Sequence, residues 1–136
     1  MNSVIRQLLL HTLFPLIIGF LIYFFFRPNV WFVQFLWNKE AMISLTEMNG
    51  GQKLLIFSGP DFCWAYSLSS ALFIWEKWQG SAIRYFPLVV LLLVVGAELI
   101  QFVLTSFFTP DWMDIFAALS AFILSYLLIR RQHDEK

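Results

Sequence analysis

Glu98, Gln101, Asp111 and Asp114 place three carboxylates and an amide within a short stretch of otherwise apolar chain. Charge inside or beside a bilayer is costly, so it usually has a reason. Two carboxylates held close together can share one proton and act as general acid and base. With an amide oxygen they are also hard ligands for Mg²⁺ or Ca²⁺, and a proton relay in a transporter would use the same groups. No nucleophile–base pair accompanies them, because the serines have no histidine close by in sequence. The spacing predicts a polar site but no defined metal site and no cofactor.

These groups must be positioned by membrane helices. The chain has 136 residues, of which 60% are hydrophobic and only 13% charged. A soluble domain of this size needs far more charge to cover its surface. Long apolar runs separated by short polar segments mean a polytopic, all-α membrane protein. The formal net charge of zero gives nucleic-acid binding no electrostatic support. Cys63 is the single cysteine, which rules out an intramolecular disulfide. It reads as a small apolar filler.

Four spans are predicted in one domain, at about 8–26, 62–78, 85–108 and 111–129. The first is long enough, at about 28 Å, to cross the hydrocarbon. No small-x-small cleavage site follows it, so it reads as a retained helix rather than a signal peptide. His11 is expected at headgroup level. Residues 27–61 form the predicted outer loop, and its Val30–Trp37 stretch is a short interfacial segment. Leu54–Phe57 reads as re-entrant or interfacial. Ser58-Gly59-Pro60-Asp61 reads as a turn, with Asp61 the N-cap of the second helix.

The basic residues set the orientation. Arg6, Lys77, Arg84, Arg130, Arg131 and Lys136 would share one side, and Arg27, Lys39 and Lys53 the other. Both termini are therefore predicted cytoplasmic. Asp61, Glu98, Gln101, Asp111 and Asp114 then gather near the outer surface. Helical phase supports this: Pro87, Leu91, Val94, Glu98, Gln101 and Thr105 fall on one face. On the last helix, Asp111, Asp114, Ala118, Ala121 and Ser125 form a stripe with carboxylates above small residues. A simpler reading stands beside it, in which Asp61 and Asp111 only cap helices and Asp114 complements a helix dipole. Glu98 lies mid-helix, where no cap is needed. Trp64, like Trp31, Trp37, Trp78 and Trp112, would by itself be an interfacial anchor.

The order Glu98-x-x-Gln101, a short connection, then Asp111-x-x-Asp114 resembles the VanZ-like membrane proteins. Pro60-Asp61-Phe62-x-Trp64 is similar to the approach to an earlier helix in that family. The resemblance covers roughly residues 58–129. Ala118 and Ala121 stand where the family commonly has Asn and Gly, and the histidine that follows the first Asp is missing. The resemblance implies a role in the bacterial cell envelope, in the best-known case reduced susceptibility to a glycopeptide antibiotic. It implies a polar site of Glu98, Gln101 and Asp114, with Asp61, Trp64 and Asp111 as binding residues. The expected partners are membrane lipids and a lipid-linked envelope precursor or a membrane protein. The alternatives are a small proton- or cation-coupled transporter or channel subunit, and a purely structural membrane protein.

Overall fold

A computed structural model describes residues 3–26, 48–80, 83–103 and 111–130. The described residues are almost entirely helical, with no strand among them. Helix α1 is Ser3–Phe26, with a wider π-helical turn at Leu9–Leu13. Helix α2 is Gly50–Gln79, α3 is Phe86–Val103, and α4 is Trp112–Arg130, ending in a π-helical turn at Tyr126–Arg130. Helices α1, α3 and α4 are long and apolar enough to cross a membrane. The Val30–Trp37 segment and Thr105 lie outside the described residues.

Helix α2 is the hub, and it differs most from the sequence expectation. It begins at Gly50, not Phe62. Asn49 caps it: its Oδ1 accepts from the Gln52 N–H at 2.9 Å, and Gln52 Oε1 accepts from the Asn49 N–H at 3.1 Å. This reciprocal capping box satisfies two of the donors that a helix start leaves open. Lys53 and Leu54–Phe57 are therefore helical rather than loop or re-entrant. The Ser58-Gly59-Pro60-Asp61 stretch is helix interior, and Asp61 caps nothing.

Turn composition misleads here because the same small residues serve close packing. Gly19 of α1 lies so near α2 that a Cβ at that position would come within 3.0 Å of Cys63 Cβ and 3.4 Å of the Pro60 carbonyl oxygen. Pro60 itself is fully buried. It lacks the N–H for the helical bond to the carbonyl four residues back, a loss that a well-packed interior helix can absorb.

Contacts fix the directions. His11 meets Tyr66 and Gly19 meets Pro60, so α1 runs antiparallel to α2. Phe73 packs its ring against Phe122 and Tyr126, and Glu76 pairs with Arg130, so α4 runs parallel to α2. The stripe read on α4 is the packed one: Ala118, Ala121 and Ser125 have no exposed surface. Small side chains let backbones approach, which is how helices bind one another where burial against lipid gains little. The bundle-facing side of α3 agrees with the reading where it is described, with Val94 buried and Pro87, Leu91, Glu98 and Gln101 half-buried; Val90, which the reading left out, is buried as well.

One end of the bundle is clasped by charge. Glu76 is 5% exposed. Its carboxylate accepts from Arg130 Nε at 3.0 Å and from the Ile83 N–H at 3.0 Å. Arg130 Nη2 also donates to the Ile83 carbonyl at 3.2 Å. This joins the ends of α2 and α4 to the segment that leads into α3. Gly80, at φ 70°, makes the left-handed exit from α2 that other residues rarely adopt. At the opposite end, the Phe102 and Trp112 rings lie 4.9 Å apart and bring the end of α3 to the start of α4.

Gly19→Val is expected to lower the stability of the detergent-solubilised protein by about 1–3 kcal/mol, the range for overpacking a tight contact. Unfolding monitored by circular dichroism checks it. Unchanged stability would mean that α1 does not approach α2 as described.

Candidate functional site

The site draws residues from all four described helices. Asp61 and Trp64, three residues apart on α2, face the side toward α3. On α3, Glu98 lies one turn beyond Val94, and both line the same space. A pocket of about 120 Å³ results, lined by Asp61, Trp64, Ala65, Leu68, Val94, Ala97 and Glu98. Two carboxylates from different helices thus border one small cavity. Gln101 extends the site on α3: its Nε2 donates to Glu98 Oε2 at 2.6 Å, a short bond. Asp114, in the first turn of α4, is close enough for its charge to act on Glu98, as is Asp61.

Helix α1 supplies a residue that the sequence reading missed. The Tyr23 O–H donates to Asp61 Oδ1 at 3.2 Å. Tyr23 lies one turn from Gly19 on the same face, so the close approach at Gly19 carries it to α2. A single Tyr in a run of Phe, Leu and Ile was the available signal. His11 is engaged between helices: its Nδ1 lies 2.7 Å from the Tyr66 hydroxyl in the α1–α2 contact. The π-helical turn at Leu9–Leu13 carries it there.

The remaining candidates divide. Asp111 is a helix cap: it is extended, at φ −130° and ψ 136°, and its Oδ1 accepts from the Met113 N–H at 3.1 Å. It is exposed and does not line the pocket. The capping role that the sequence allowed for Asp111 is therefore its structural role, while Asp61 has none of that kind. Among the described residues, no group of three or more His, Cys, Asp or Glu side chains is arranged to hold a metal ion. The acidic groups act across a pocket rather than converging on one point.

The arrangement can bind a polar or cationic group against two carboxylates, with an indole and small apolar side chains around it. It can also exchange a proton between Asp61 or Glu98 and such a group. No family profile, curated protein or solved structure matches the chain.

Asp111→Ala is expected to cost about 1 kcal/mol of stability through the lost cap, and Asp111→Asn almost nothing. Thermal unfolding of the two variants measures this. A full loss of activity in Asp111→Asn at wild-type stability would instead return Asp111 to the site.

Proposed function

We propose that this chain is a VanZ-like membrane protein of the bacterial cell envelope, whose acidic pocket binds or acts on a lipid-linked or cell-wall component. The observation that carries this reading is the meeting of Asp61 and Glu98 across one pocket. The first short motif of the resemblance is far in sequence from the other two. Pro60-Asp61-Phe62-x-Trp64 supplies two lining residues, Glu98-x-x-Gln101 supplies a lining carboxylate and its amide partner, and Asp111-x-x-Asp114 supplies a cap and a nearby charge. A purely structural role accounts for Asp111 but gives no reason for two carboxylates to border a cavity.

In this reading α2 is the fourth span. Its 30 residues extend about 45 Å, more than the roughly 30 Å of hydrocarbon. Its first turns project past the hydrocarbon, and its serines face protein instead of lipid. Ser69 and Ser70 are wholly buried, and Ser67 nearly so. Arg6, Lys77, Arg84 and Arg130 share the end opposite the acidic pocket. That end is cytoplasmic by the charge rule, both termini are inside, and the pocket opens toward the outer surface.

Reconstituted into proteoliposomes, the wild-type chain is expected to retain a lipid-linked cell-wall precursor. Glu98→Gln and Asp114→Asn are expected to weaken retention about tenfold or more, in the range for losing a buried charged partner. Wild-type retention by Glu98→Gln would remove the basis for the reading. A pH-dependent ion flux that disappears in the same variant would favour a transporter instead.

A further inference from the structure

The hydrogen bond from the Ile83 N–H to Glu76 joins the end of α2 to the segment that leads into α3. It also sets two short sequences beside each other. Lys77-Trp78 follows Glu76 and Arg84-Tyr85 follows Ile83, so each tethered residue is succeeded by a cation and then an aromatic. Trp78 is 71% exposed and Tyr85 66%. The Arg84 guanidinium carbon lies 5.7 Å from the centre of the Tyr85 ring, and no described hydrogen bond uses its N–H groups. Glu76 is already bound to Arg130, and among the described residues no acidic side chain pairs with Lys77 or Arg84. Helices α1 and α3 begin at this end and α4 ends at it, and each is long and apolar enough to cross a membrane. The two cation–aromatic pairs therefore stand where hydrocarbon gives way to headgroups. A helix dipole explains only one of the cations. Lys77 lies in the last turn of α2, where a cation is favoured. Arg84 lies just before α3, where the dipole favours an anion instead.

We propose that this end of the bundle holds the headgroup of an anionic phospholipid, its phosphate shared by Lys77 and Arg84 and flanked by Trp78 and Tyr85. Charge complementarity selects an anion, and cations beside a membrane span attract anionic lipids. The planar fork of Arg84 suits phosphate oxygens, and Lys77 adds a compact point charge. Exposed indole and phenol rings settle at headgroup level, which selects a lipid over a soluble anion. The site lies at the opposite end from the acidic pocket and does not depend on it.

The test uses the full chain in uncharged maltoside micelles, with phosphatidylglycerol and phosphatidylcholine of identical acyl chains as probes. Native mass spectrometry gives their relative affinities. Phosphatidylglycerol is expected to bind about twentyfold tighter, from two cations worth about fivefold each. Lys77→Gln and Arg84→Gln are each expected to remove about fivefold of that preference. Both side chains stand outside the Glu76–Arg130 clasp, so the variants are expected to fold, and circular dichroism verifies this. Arg6→Gln removes a cation at the same end but outside the two pairs, and is expected to leave the preference unchanged. Inorganic phosphate in excess is expected not to displace the lipid. Equal affinity for the two lipids, or full preference in folded Lys77→Gln and Arg84→Gln, overturns the proposal. An equal loss in Arg6→Gln would show attraction by overall charge rather than a site, and displacement by phosphate would make the occupant a soluble anion; either result also overturns it.

Discussion

Helices in a bilayer gain little by burying apolar side chains against one another, because lipid tails are equally apolar. They hold together where backbones come close enough for dense contact and for polar groups to meet. In this protein that requirement falls on α2. Gly19 brings α1 against Pro60 and Cys63, and Ala118, Ala121 and Ser125 bring α4 against the other side. The rest of the arrangement follows from these two contacts. A bulkier α1 at residue 19 would carry Tyr23 away from Asp61. A bulkier α4 would lift Asp114, Phe122 and Tyr126 away from the central helix and its Phe73.

The two ends of the bundle use charge differently. At one end, Glu76 and Arg130 neutralise each other, and the Ile83 backbone takes up further hydrogen-bonding capacity. A buried pair with its surrounding bonds satisfied fixes geometry and leaves little for a ligand to do. At the other end the carboxylates of Asp61, Glu98 and Asp114 gather. Asp61 has a phenol donor and Glu98 an amide donor, but no described cation is paired with Glu98 in the way that Arg130 is paired with Glu76. The contrast separates a closed ion pair from carboxylates that border a cavity.

Much of this was legible where local periodicity carries the information. The small-residue stripe of α4, the inward face of α3 with Glu98 and Gln101 on it, and the cap at Asp111 all follow from helical spacing and from residue type at a helix start. What was not legible depends on pairing at a distance. Tyr23 finds Asp61 across 38 residues and Arg130 finds Glu76 across 54, and no periodic pattern announces such a meeting. The beginning of α2 was misread for a related reason. Ser-Gly-Pro-Asp has the composition of a turn, and only the neighbouring Gly19 shows why those residues stand in a helix. Trp64 reads as an anchor by type and as a binding residue only by the resemblance, whereas its place in the linings of two cavities depends on where α1 and α3 pack.

The central claim is that α2 and α3 bring Asp61 and Glu98 to the same pocket. The most direct measurement is paired-cysteine cross-linking in native membranes, with Asp61→Cys and Glu98→Cys combined in a Cys63→Ala background. A short bifunctional thiol reagent should join the pair readily and should join Asp111→Cys to Asp61→Cys poorly or not at all. Failure to cross-link positions 61 and 98, with both thiols shown to be reactive alone, would contradict the account.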